Sequence, residues 1–463
     1  MKKKRLIQAT VAGSFACSVL PALAQDGTGL RMIFGVDQEF EAGDNLSLEI
    51  PSEGSTVLST TTLSFDLLSE TSTQTFALGL SGSLREGDIP RGSDISTGFV
   101  DPSVKLSYSR EAANARFSFD GQYRESDVSF LDPLSSLVDD TGVLVLPEDF
   151  ETLNGTGTRR VYNVSTKLET GIDAPFGLVF DASASGISYG DGAAATRDDS
   201  RRHSYGVEAR LRFSPVTTGF VGYDRDYYEA DDIQNTEHET DAFEIGVNHE
   251  ISERATIEVA IGYSETSETE NFVTMNDDGL TGRVKYDLDM PNGSLNASYE
   301  VTRDQDGKRE FLRFGRSLEQ PLGTLSFNIG ATRKGSGDPK LIGGLNWRRD
   351  LPTGRITLGL NRGVTVNDDD EERISTTANF GYMYEINQLS SLGFDASYGL
   401  TESSITGNDT QRTDLTASYN YALTPDWSLS TGVSYRIRDE DRLGRTDSTS
   451  VFLRIGREFT IFQ

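Results

Sequence analysis

The sequence predicts an all-β protein, a transmembrane antiparallel up-and-down β-barrel of about 22 strands within a range of 16–22. Three observations lead there. Apolar Ala255, Ile257, Val259, Ile261 and Tyr263 alternate with small or polar Thr256, Glu258, Ala260, Gly262 and Ser264, which is the period of a strand and not of a helix. Such segments run for roughly nine to thirteen residues, longer than the five or six usual in soluble sheets and long enough for a tilted strand to cross a bilayer. The links between them alternate between short turns and longer acidic loops, the pattern of periplasmic turns and external loops.

The chain opens with Lys2, Lys3, Lys4 and Arg5, continues through a largely apolar stretch to Leu23, and reaches Ala22-Leu23-Ala24 before Gln25. A basic region, an apolar region and a small-residue site describe a cleaved secretory signal over residues 1–24, which leaves 25–463 as one barrel domain. The only cysteine, Cys17, falls inside that signal, so neither a disulfide framework nor a thiol nucleophile is expected. Cleavage removes four positive charges and no negative ones, taking the net charge from −29 to −33. A surface of that sign repels nucleic acid. Beyond residue 24 no apolar run approaches the length of a membrane helix, and the negative mean hydropathy is compatible with a barrel, in which every second residue faces water.

The first five strand segments fall at 29–40, 56–68, 73–86, 103–110 and 114–126. The longest link, about 127–158, follows. The next six segments lie at 159–170, 177–188, 202–213, 218–228, 240–251 and 254–266, and another six at 280–289, 294–303, 308–318, 324–334, 339–349 and 355–365. The last five are 373–385, 391–402, 411–422, 427–438 and 447–461. Short turns such as Ser69–Ser72, Ser252-Glu253, Met290–Gly293, Leu351–Gly354 and Leu423–Asp426 are read as periplasmic. Acidic clusters at Glu229–Asp232, Asn276–Gly279, Asp368–Glu372 and Asp439–Asp441 are read as external links. Tyr263, Trp347, Tyr382, Tyr384, Trp427 and Tyr435 recur toward strand ends, where rings with one polar end suit the headgroup level.

The carboxyl-terminal stretch Ser450-Val451-Phe452-Leu453-Arg454-Ile455-Gly456-Arg457-Glu458-Phe459-Thr460-Ile461-Phe462-Gln463 resembles the final strand of Gram-negative outer-membrane barrels. In that family the barrel assembly machinery reads this strand, typically with an aromatic at the last position. Here Gln463 follows Phe462, and Phe462 breaks the parity shared by Phe459 and Ile461. Gly43-Asp44-Asn45-Leu46 is similar to the start of poorly characterised proteobacterial barrel proteins. The resemblance implies a porin-type barrel in the outer membrane, with outer-membrane lipid, lipopolysaccharide and the assembly machinery as partners. Twenty-two strands is also the number in TonB-dependent receptors, but those carry a plug domain ahead of the barrel. Here the first segment begins within a few residues of the signal cut, so no plug is expected.

Two sets of residues are candidates for function. The 127–158 link follows the fifth segment, and the porins that the chain resembles fold the loop at this position into the lumen. Its Asp132, Asp139, Asp140, Glu148, Asp149 and Glu151 would then favour cations at a constriction; as an external lid it would instead pack on neighbouring loops. Charges with lumen parity form the second set: Arg116, Arg124, Arg210, Arg212, Arg283, Lys285, Asp287, Arg313, Arg436 and Arg438. They set a transverse field for polar solutes, or they pair across strands and hold the wall together.

Asp304–Gly307 and Asn367–Glu372 lack the spacing of a complete calcium loop, so no metal site or cofactor is expected. His203, His238 and His249 accompany no recognisable nucleophile motif, and enzymatic activity is not expected. The leading expectation is therefore a porin-like channel for passive or weakly selective diffusion of small hydrophilic solutes. The alternative is a structural or surface-interaction barrel with a loop-filled lumen.

Overall fold

The computed structural model describes residues 29–462, apart from 53, 91–95, 129–132, 140, 154–155, 193, 195–196, 305–306, 367–371 and 403–408. They form a single antiparallel sheet of 22 strands, each paired with its neighbour in sequence. The strands are β1 (Gly29–Asp44), β2 (Ser55–Glu70), β3 (Gln74–Asp88), β4 (Gly98–Ala112), β5 (Ala115–Asp127), β6 (Thr158–Thr170) and β7 (Phe176–Gly190). There follow β8 (Ser200–Ser214), β9 (Thr217–Ala230), β10 (Glu237–Ser252), β11 (Ala255–Glu270), β12 (Val273–Met290), β13 (Gly293–Asp304), β14 (Gly307–Gln320) and β15 (Gly323–Lys334). The last are β16 (Lys340–Leu351), β17 (Gly354–Val366), β18 (Glu372–Asn387), β19 (Ser390–Glu402), β20 (Thr410–Ala422), β21 (Trp427–Glu440) and β22 (Gly444–Phe462). β1 pairs with β22 from Asp44↔Thr449 down to Met32↔Phe462, which closes the ring and leaves no free edge.

Alternation fixes which face looks out. Val259, Ile261 and Tyr263 on β11 are exposed, whereas Ala260 and Gly262 between them and Ser264 beyond are buried against the inside. A barrel this wide cannot fill its interior with wall side chains alone, so the apolar face is the outer one, as a membrane wall requires. Arg457 stands at the periplasmic margin of that face, 5.1 Å from the Trp427 ring and 4.2 Å from the Phe459 ring. The periplasmic turns are tight. Gly293 and Gly354 carry φ of +125° and +156°, and a Cβ on either would lie about 2 Å from a carbonyl of the next strand, so only glycine fits there.

Two readings from the sequence change. The acidic stretch Asn276–Gly279 is strand: β12 begins at Val273 and pairs Asn276 with Ser267, and the external turn shrinks to Asn271-Phe272, both with positive φ. A strand that projects beyond the bilayer is wet on both faces and loses the alternation that reveals it. At the closing seam, β22 carries a register shift opposite Met32/Ile33, where Thr460 and Phe462 take successive partners and Ile461 is skipped. This bulge accounts for the broken parity, because one extra residue leaves both Ile461 and Phe462 on the exposed face.

Candidate functional site

The interior is organised by the segment joining β5 to β6. It leaves the wall at Asp127, whose carboxylate accepts from Arg85 on β3 at 3.3 Å while Arg85 also holds Asp101 at 2.6 Å. A 3-10 turn, Leu134–Leu137, follows, and a Val138↔Leu144 bridge folds the next residues into a hairpin. Leu134, Leu144 and Phe150 are buried together, with Leu137, Val138 and Leu146 against them, so the segment has a small apolar core of its own.

Its far end is bonded to the opposite wall. The Leu134 N–H donates to Asp414 of β20 at 2.7 Å. The Thr141 carbonyl accepts from Asn346 of β16, the Gly142 carbonyl from Asn379 of β18 at 3.2 Å, and the Leu144 carbonyl from Thr377 of β18 at 2.9 Å. Glu151 meets Arg373 of β18 at 3.5 Å. β16 stands eleven strands from β5 in a closed ring of 22, directly opposite, so the segment traverses the whole lumen. The return is anchored by Asp149, which is fully buried and accepts from Arg159 of β6 and from the Tyr189 hydroxyl of β7, the latter at 2.6 Å. A second inward loop follows β1. Buried Asn45 donates to Thr446 of β22 at 2.8 Å, and the Leu46 carbonyl accepts from Arg436 of β21 at 3.1 Å.

The acidic residues singled out in the 127–158 segment are therefore not arranged as an open ring. Asp149 and Glu151 lie in ion pairs, and Asp139 caps its own turn, accepting from the Thr141 hydroxyl at 2.7 Å and from the Thr141 and Val143 N–H groups at 2.9 Å. Burial is the largest single influence and pushes the Asp139 pKa up, but these bonds together outweigh it and hold the carboxyl below the ordinary aspartate value. Glu148 borders a cavity of about 230 Å³ beside Arg159, Arg201 and Arg202. Asp132 and Asp140 lie outside the described residues.

The second set carries lumen parity, and much of it is paired. Arg283 spans Glu244 at 2.6 Å and Glu258 at 2.5 Å. Arg210 meets Glu208 at 2.5 Å, Arg116 meets Glu111 at 2.8 Å, and Arg313 meets Glu300 at 3.1 Å. Arg438 pairs with Glu440, and Arg212 donates to the Ile172 carbonyl at 2.8 Å. Arg124 has an interaction as well, while Lys285 and Asp287 stay exposed on the inner face. The residues that receive the crossing segment (Asn346, Thr377, Asn379 and Asp414) were not singled out from the sequence. Their only signal is a polar side chain at lumen parity, which any wetted wall shows. A separate cavity of about 790 Å³ opens on the inner face of β1–β7, on the periplasmic side of the Asp149 anchor.

No family model matches the chain, and no curated protein matches it in sequence. Solved structures do match in fold. The FrpB iron transporter from Neisseria meningitidis (F3-3 variant) superposes with a TM-score of 0.55 at 8% identity, over 93% of this chain and 81% of that one. The ferric-catecholate import receptor Fiu from E. coli K12 gives 0.55 at 10% identity over 92% and 81%, and the copper transporter OprC gives 0.52 at 10% over 94% and 83%. The fold is that of a Gram-negative outer-membrane barrel. A closed wall with an apolar outer face and this fold belongs in the outer membrane. The expectation of a passive, weakly selective porin does not stand, because the solved barrels that match the fold include an iron transporter, an import receptor and a copper transporter. The number of strands was right, but strand number and wall pattern do not reveal what crosses the lumen.

Proposed function

We propose that the protein is a selective outer-membrane receptor-transporter for a small solute, in which the 127–158 segment is the partition that keeps the lumen shut until it is released. The observation that carries this reading is the traverse itself: one stretch of chain is anchored at Asp149 on one wall and latched to β16, β18 and β20 on the other. The fold neighbours, an iron transporter, an import receptor and a copper transporter, support a transport role for a barrel of this size. In this chain the partition is supplied by a link between two strands.

The latch is light enough to open. The hydrogen bonds that Thr377 and Asn379 donate and that Asp414 accepts contribute about 1 kcal/mol each, so removing all three shifts the closed-to-open ratio by roughly 100-fold. Single-channel recording in planar bilayers tests this. The native protein should show rare brief openings, and the Thr377→Val/Asn379→Ala/Asp414→Ala variant should show frequent, larger steps. Large stable steps of the same size in both proteins would refute the partition.

A further inference from the structure

We propose that the cavity on the inner face of β1–β7 binds a small zwitterionic solute, of amino-acid to tripeptide size, through Arg31, Asp66, Lys105 and Asp120. The proposal rests on the transport reading above and names its substrate class.

The four charged groups line one cavity of about 790 Å³, within the range of small-ligand sites. Each is exposed to the interior, and none has an ion-pair or hydrogen-bond partner among the described residues. That sets them apart from the paired charges farther round the wall, such as Arg283 between Glu244 and Glu258. The amides of Gln122 and Asn163, likewise without a partner among the described residues, border the same space.

The sheet register gives the arrangement. Asp66 lies opposite Gly79, which lies opposite Lys105, so an acid and a base flank a residue with no side chain. Strands stand about 4.8 Å apart, which separates the Asp66 and Lys105 backbones by about 10 Å. The next inward row toward the periplasm carries the opposite order. Arg31 lies at its β1 end, opposite Leu68, and Asp120 lies farther along, opposite Ser107. Gly79 and Ala77 form the floor between the two rows.

Two acids and two bases leave the cavity formally neutral. A single ion entering it satisfies one group and repels another, whereas a molecule with an ammonium at one end and a carboxylate at the other meets both signs at once. The ammonium is received by Asp66 or Asp120, the carboxylate by Lys105 or Arg31, and a peptide group between them by the Gln122 and Asn163 amides. An extended chain of two or three residues spans about 7–11 Å, comparable to the spacing of the strands that carry Asp66 and Lys105.

Titration calorimetry on the detergent-solubilised full chain tests the assignment with alanyl-alanine as probe. The cavity lies on the periplasmic side of the crossing segment, so binding there does not require the partition to open. Alanyl-alanine should bind, and Asp66→Asn and Lys105→Met should each weaken it at least tenfold. N-acetylation or C-amidation of the probe should weaken it to a similar degree. Lys285→Met, which alters an exposed lumen charge outside the cavity, should leave it unchanged, with heat-modifiable gel mobility showing that every variant is folded. Absence of binding, equal binding of the blocked probes or of glucose, or an equal loss in Lys285→Met would overturn the proposal. Failure of the partition reading shows separately, as identical currents in the native and unlatched proteins.

Discussion

Asp149 concentrates the argument in one carboxylate. It is fully buried, receives Arg159 and the Tyr189 hydroxyl, and ties the returning end of the crossing segment to β6 and β7. Removing one partner of a buried pair leaves the other charge uncompensated and costs about 3–5 kcal/mol. Asp149→Ala is therefore expected to free the 127–158 segment while the barrel persists, read as faster protease cleavage within that segment with unchanged heat-modifiable mobility. Asp139 acts at the other end. Its pKa lies below the ordinary aspartate value, so its contribution to the turn is complete above that value and is lost as pH falls through the lower folded one. Channel openings should accordingly rise in acid below the normal aspartate range, and Asp139→Asn should already open more often at neutral pH and respond less to acid. Asp198 at the external rim has the opposite sign. Burial first, then the neighbouring Asp232, Asp199 and Asp231, raise its pKa, so its ionisation opposes folding and that strain disappears as pH drops. Asp198→Asn should raise the melting temperature at pH 7 and leave it unchanged in acid.

β17 and β18 form the receiving wall, and small or polar side chains make room there. A Cβ on Gly359 would stand 2.5 Å from the Gly142 carbonyl and 2.2 Å from the Asn379 side chain, so the segment tip rests on a strand position that must lack a side chain. Gly359→Val is expected to push the tip off the wall and raise conductance without unfolding the barrel. This function was not legible in the sequence, because a glycine at lumen parity looks the same whether it faces water or another backbone. Membrane-spanning stretches were legible almost residue by residue, since lipid on one side and water on the other enforce a strict period of two. β12 shows where that ends: outside the bilayer its first residues, Val273–Gly279, lose the pattern and read as loop. β22 shows a second limit, because a one-residue bulge at Ile461 inverts the parity that a terminal strand is judged by. The 127–158 segment was recognisable as long and partly apolar, yet its course depends on partners more than 200 residues away, such as Asn346 and Thr377.

As a whole molecule the protein is a closed wall with a strut across it. Closure from β1 to β22 pairs every strand on both sides, so the wall should tolerate loss of the strut and survive as a barrel. On the proposed reading, function then depends on the strut's position. The chain's single cysteine, Cys17, precedes the first strand, which makes an engineered thiol pair informative once Cys17 is replaced by serine. Gly142→Cys and Asn346→Cys place one thiol on the segment tip and one on β16, where a Cβ on Gly142 would lie 2.9 Å from the Asn346 amide nitrogen. The deciding measurement is single-channel current through this pair in the Thr377→Val/Asp414→Ala background, before and after joining the thiols with a short cleavable crosslinker. The account predicts frequent openings before crosslinking, closure once the tip is tied to β16, and recovery when the link is cleaved. Failure of the two thiols to join in a folded barrel, or currents that ignore the link, would contradict it.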